Sequence, residues 1–317
     1  MGRSCAKEKE QMKNNRNEMT SDFRTTTEST FSALSFTKKF TILRKGIANT
    51  LNIEKTVRNI GISVLLLAIT LLNSSSTPID RDEFKVDVVV IDAGHGGKDT
   101  GTLGKKSKEK DIALKIALRV GSYIEKNIPG VKVIYTRKDD RFIELEDRAA
   151  IAVKAKADLF ICIHANSNPN AKAFGTETFV MGLHKDDSNL EVAMRENSVI
   201  LQEDDYETKY EGFDPKSTES YILISLSQSA YLESSISFAS KVEQQFKDRV
   251  GRHSRGVKQA GFVVLWRTTM PAVLVETGFL SNGNEEQFLL SEKGQDLISS
   301  GIYRAFKDYK TEVEAIN

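Results

Sequence analysis

The chain has little net charge, few histidines and almost no cysteine, and each shortage narrows what it can be. Its 45 Lys and Arg against 44 Asp and Glu leave a formal net charge of +1, so no global basic field points to nucleic acid. The 2 cysteines, Cys5 and Cys162, do not have a zinc-finger spacing. The most apolar run, Ile60 to Leu72 with ISVLLLAITLL at its heart, is about thirteen residues, short of the roughly twenty that a membrane span needs. No internal repeat is visible.

That run has the length of a signal-peptide h-region, with Lys45, Lys55 and Arg58 before it and NSSSTP after it. Ser74 and Ser76 offer a small-x-small cleavage site before Thr77. The run lies far from Met1, so either translation starts downstream or the segment is an uncleaved anchor; a buried core helix is the remaining reading. Residues 1–59 are then a disordered or mis-assigned extension, Ser-, Thr-, Asn- and Lys-rich as far as about Thr41, and residues 60–76 the leader. The expected location is outside the cytoplasmic membrane, in the periplasm or cell envelope, with membrane contact only through the leader. No lipobox cysteine follows the run. Past Thr77 the only cysteine is Cys162, with nothing to pair with, so it is expected to serve as a small buried hydrophobe.

The most informative stretch is VVVIDAGHGGKDTG, Val88 to Gly101. Four apolar residues before a Gly-rich break suit a strand buried on both faces, and His95 then sits just past its carboxyl end, where open α/β sheets place their chemistry. A second such run, Leu159 to Ile163, ends in His164, and a third, in PAVLVETGFLSN, ends in Glu276. Between the two histidines Glu109 precedes a helical pattern in which Ile112, Ile116, Val120 and Ile124 recur at four-residue spacing. Alone, Glu109 is a helix-dipole partner. With His95 and His164 it makes a His, Glu, His set, common around a catalytic zinc with an open position. A glutamate carried inward by an apolar strand is either functional or salt-bridged to an arginine such as Arg148.

The ordered series IDAGHGG, EKDIAL, TRKDDRFIELEDRAAIA, ICIHAN, GTETFVMG and PAVLVETGFLSN resembles the zinc-dependent N-acetylmuramoyl-L-alanine amidase family, over about residues 86 to 308. The resemblance implies one zinc held by His95, Glu109 and His164, Glu276 as the catalytic carboxylate, and peptidoglycan cut between the lactyl group of muramic acid and L-alanine. The metal set alone also suits another zinc peptidase or a deacetylase. An inactive wall-binding regulator on the same fold would be expected to lack a ligand or the glutamate, and all four are present.

Strands expected at residues 86–92, 131–136, 158–164, 174–181 and 272–276, with helices at 110–127, 144–156 and near 292–309, predict an α/β fold: a mostly parallel twisted sheet with helices on both faces. The catalytic domain is expected over residues 77–317, interrupted at about 184–252 by a helical insertion. That insertion resembles one in amidases of cell separation, where a helix lies over the zinc and a glutamate fills its open position until an activator protein displaces it. Glu196 is the first candidate and Glu203 the second; otherwise both face solvent. Asp92 and Asn166 are candidates to orient ligands or substrate, or to cap turns, and Arg148 and Arg137 to meet substrate carboxylates or form structural ion pairs. His184 and His253 are expected on the surface, Trp266 in the core or a groove wall.

Overall fold

The computed structural model describes residues 85–226 and 230–315. The extension, h-region and cleavage point expected over residues 1–76 lie outside the described residues. Among the described residues no helix is long and apolar enough to cross a membrane.

Six strands of the described residues form one sheet: β1 (Val88–Ala93), β2 (Lys132–Tyr135), β3 (Leu159–Asn166), β4 (Thr176–Met181), β5 (Ser254–Ala260) and β6 (Ala272–Phe279). Their order is β2-β1-β3-β6-β4-β5. Only β4 and β6 pair antiparallel; the other pairings are parallel. β1, β3 and β6 read as continuous apolar runs because both faces of the sheet are covered. On one face Val89, Ile91, Ile161, Ile163, Val273 and Val275 enter one core; on the other Val90, Phe160, Cys162 and Leu274 enter a second.

The helices are α1 (Glu109–Asn127), α2 (Leu145–Lys154), α3 (Asp187–Asn197), α4 (Tyr206–Lys209), α5 (Thr218–Leu226), α6 (Leu232–Gln245), α7 (Val263–Trp266), α8 (Gly283–Leu290) and α9 (Glu292–Ala315). Ile112, Ile116, Val120 and Ile124 lie on one stripe of α1 and are buried in the first core, each stabilising the fold by about 1.5–3 kcal/mol. Opposite them α9 contributes Ile298, Ile302, Ala305 and Phe306.

Two features depart from the sequence reading. β5, reading SRGVKQA, is an unanticipated strand whose residues are mostly half-exposed, since an edge strand need not alternate cleanly. α6 falls within the expected insertion, residues 184–252, yet Phe238, Ala239 and Val242 pack into the first core. The rest of the expected elaboration, α3 to α5, packs on the other face, where Leu190, Ile200, Tyr210, Phe213 and Tyr221 join the second core.

Candidate metal centre

Strand alternation puts the chemistry on one face. Asp92, His164 and Glu276 follow the register of Val90, Cys162 and Leu274 at the carboxyl ends of β1, β3 and β6. His95 extends this edge from the turn after β1, where its own φ is 60°, a left-handed conformation costing on the order of 1 kcal/mol for a residue with a Cβ. Arg148 holds the turn: its guanidinium donates to the carbonyls of Ala93 at 2.8 Å and His95 at 2.8 Å, and to Asp92 Oδ1 at 2.9 Å. Gly94 is required by close approach, since a Cβ there would overlap the His164 ring around Nε2.

Four buried side chains, His95, Glu109, His164 and Glu196, each offer a ligand atom, all within 4.8 Å of one another. Glu109 Oε1 lies 3.1 Å from His95 Nε2 and 3.0 Å from His164 Nδ1, and Glu196 Oε2 lies 3.2 Å and 3.1 Å from the same two nitrogens. His95 Nδ1 faces Asp99 Oδ2 at 2.7 Å. An aspartate can only accept there, so it fixes a proton on Nδ1 and points Nε2 into the cluster. Glu109 is oriented by the backbone N–H of Ala165 at 2.9 Å on Oε1 and of Thr102 at 2.8 Å on Oε2.

Carboxylates and imidazoles are crowded together in this centre. Burial opposes charge on both rings, but Glu109 and Asp99 beside His95, and Cys162, Glu196 and Glu109 beside His164, hold both imidazoles well above their usual range. Burial likewise opposes charge on Glu109, yet His95 and His164 pull it down to about 2. His95 Nε2 and Glu196 Oε2 are buried and, among the described residues, have no hydrogen-bond partner, a deficit that a cation between them would satisfy. Two imidazoles with carboxylate oxygens suit zinc.

Glu276 stands directly beside His164 in the β3–β6 register. It is fully buried, and among the described residues neither carboxylate oxygen has a hydrogen-bond partner. Burial, then Glu196 and Glu109, push its carboxyl well above the ordinary range. Its nearby cation is Arg195, with Nη2 3.8 Å from Oε1; the alternative pairing with Arg148 does not form, because Arg148 belongs to Asp92.

The remaining candidates fall on both sides of the centre. Asp92 lies beneath it, accepting from Thr136, Arg148 and the Cys162 thiol. Asn166 borders it, accepting from Arg195 at 2.7 Å. Glu203 is not in the cluster: it accepts from the backbone N–H of Leu145 at 2.9 Å and from Tyr210 at 2.7 Å, so it anchors the start of α2. Arg137 is spent on the carbonyls of Ala93, Gly94 and Lys110. His253 is exposed, His184 half-buried, and Trp266 lines a surface cavity of about 200 Å³ under the Arg267 guanidinium. Asp99 and Arg195 escaped the sequence reading, although each lies within four residues of a candidate and could have been weighed with it.

The N-acetylmuramoyl-L-alanine amidase family (Amidase_3) matches residues 89–308. AmiA, an N-acetylmuramoyl-L-alanine amidase of Escherichia coli K12, is 35% identical over 240 residues, covering 75% of this chain and 81% of the relative. The catalytic domain of CwlV, an N-acetylmuramoyl-L-alanine amidase from Bacillus (Paenibacillus) polymyxa var. colistinus, superposes with a TM-score of 0.52 at 33% identity, covering 70% of this chain and 97% of that one. The CwlD amidase of Clostridioides difficile, solved in complex with the GerS lipoprotein, gives 0.53 at 26% identity, covering 71% and 99%. With family motifs, fold and residue cluster in agreement, the chain belongs to the N-acetylmuramoyl-L-alanine amidase family.

Proposed function

We propose that the protein is an exported zinc-dependent amidase that cleaves peptidoglycan between N-acetylmuramic acid and L-alanine. The observation that carries this reading is the convergence of His95, Glu109 and His164 beside the buried Glu276 on the next strand, whose carboxylate has no hydrogen bond among the described residues. His95, Glu109 and His164 would hold the zinc. Bound there, zinc would supply a Lewis acid that polarises the amide carbonyl and eases loss of a proton from water. Glu276 takes the proton from the attacking water and returns it to the departing alanine nitrogen, a role suited to a carboxyl that burial pushes above the ordinary carboxylate range. Asp99 and the backbone N–H groups of Ala165 and Thr102 keep His95 and Glu109 aimed inward. A peptidase or deacetylase would share this set; the family's own amide is preferred because the match extends over residues 89–308.

The chain is held off until it is needed. Glu196 would be a fourth ligand that lowers the formal charge of the zinc site to about zero and fills the position water requires. Its helix, α3, would leave when an activator protein binds the elaboration; a relative bound to a lipoprotein makes a protein partner a reasonable class. Export rests on the h-region at Ile60 to Leu72, and the near-zero net charge favours peptidoglycan over nucleic acid as the polymer bound. The test is solubilisation of purified peptidoglycan by zinc-loaded protein carrying Glu196→Ala: chelation must abolish it and added zinc restore it. Metal-independent solubilisation would overturn the zinc assignment.

A further inference from the structure

Asn166 is 1% exposed, and its two amide ends are committed in opposite directions. Nδ2 donates to Glu177 Oε1 at 2.5 Å, while Oδ1 accepts from Arg195 Nη2 at 2.7 Å and from the Ser167 backbone N–H at 2.7 Å. A carboxylate can only accept and a guanidinium can only donate, so the amide cannot be flipped. Glu177 is itself immobilised: its other oxygen receives Arg255 Nε at 2.8 Å and Lys258 Nζ at 2.6 Å, both from β5. It lies opposite Glu276 across the β4–β6 pair, and its two cations offset the repulsion between these neighbouring carboxylates.

The outward acceptor is filled by a residue of α3. Arg195 Nη1 donates to the Ser167 carbonyl at 3.1 Å, and the same Nη2 that meets Asn166 Oδ1 lies 3.8 Å from Glu276 Oε1. Arg195 therefore presents N–H groups to two acceptors beside the carboxylate that performs the proton transfers. When α3 withdraws, it takes Arg195 and Glu196 with it, leaving a buried acceptor to be satisfied by whatever enters.

Resting on the proposed amidase reading, we propose that Asn166 Oδ1 and the Ser167 carbonyl form a substrate-positioning acceptor pair for a hydrogen-bond donor next to the scissile bond. Arg195 occupies it in the closed state, and Glu177, braced by Arg255 and Lys258, sets its direction. The donor is a peptide N–H or a sugar hydroxyl. Glu177, Arg255 and Lys258 are positioning residues that act through Asn166.

Binding of an N-acetylmuramoyl-tripeptide is measured by calorimetry on the full chain carrying Arg195→Ala and Glu196→Ala to open the site and Glu276→Gln to prevent turnover. Adding Asn166→Ala weakens binding about 5-fold to 10-fold, the effect of one neutral hydrogen bond, with zinc content unchanged. Glu177→Gln, which lets the amide turn over, weakens it in the same direction and provides a second reading should Asn166→Ala fail to fold. A fragment N-methylated at its amides, or one with deoxygenated sugar hydroxyls, shows which donor is read: the correct one loses affinity in the open protein and none further on Asn166→Ala. Equal binding of the intact fragment to all these variants overturns the acceptor pair alone. No binding to the open protein, with zinc bound, overturns the pair together with the amidase reading.

Discussion

Glu276 and His164 are register partners on adjacent parallel strands, which sets a carboxylate beside an imidazole of the four-residue cluster while neither of its oxygens has a hydrogen bond among the described residues. In the proposed roles the ligands hold the ion and the general base does not. Glu276→Gln is therefore expected to keep zinc and lose turnover by about 10²-fold to 10⁴-fold, whereas His95→Ala, Glu109→Ala and His164→Ala each lose the metal. Metal analysis alongside turnover checks this, and near-normal turnover in Glu276→Gln contradicts it.

The same substitution has a stability signature in the zinc-free protein. Because the folded-state value of Glu276 is raised above 4.5, the folded chain holds a proton that the unfolded chain has released. Its stability consequently falls as pH rises from about 4.5 toward the folded value. Glu276→Gln removes that loss, so its Tm exceeds that of the parent at neutral pH and converges with it near pH 4. Parallel Tm curves across this range would refute the shift.

Glu196 and Glu203 separate lock from brace. Glu196→Ala is expected to raise basal activity on the order of 10-fold. Glu203→Ala strips partners from Leu145 N and Tyr210 and lowers stability by about 1–3 kcal/mol without relieving inhibition. Equal basal activity in the two variants at matched folding would exclude a lock at Glu196.

What the sequence revealed follows from where its signals lie. His95, His164 and Glu276 were legible because each ends an apolar run, and Glu109 because it opens a periodic helix; the structure brings the two histidines and Glu109 together with Glu196. Arg148 was legible only as an arginine, and its partner proved to be Asp92, a pairing set by the return of α2 across β1 that no local pattern encodes. Glu177 was passed over because the strand TETFVM gives no sign of Arg255 and Lys258, 78 and 81 residues away. β5 was missed for the same reason: as an edge strand its sequence is polar.

Gly94→Ala tests how closely the β1 turn approaches His164. The added methyl would overlap the ring around Nε2, so zinc affinity should fall about 10-fold to 100-fold while far-UV circular dichroism is unchanged. Full zinc affinity in this variant would mean that the ring has room to move.

Cys162 should be inert in the folded chain. Burial first, then the Asp92 carboxylate, push its thiol up to about 12, so almost no thiolate exists at pH 8. Peptide mapping after iodoacetamide should find Cys162 unmodified until the chain is unfolded; rapid native labelling would contradict the packing of β3 against β1.

The central claim is which bond is cut, and the chemistry of the product answers it directly. Purified sacculi digested by the zinc-loaded protein carrying Glu196→Ala should release peptides with a new free L-alanine amine, detected by amine labelling and mass spectrometry, and no new reducing sugar ends. New reducing ends, or new amines only at residues beyond L-alanine, would contradict the assignment of this protein as an N-acetylmuramoyl-L-alanine amidase.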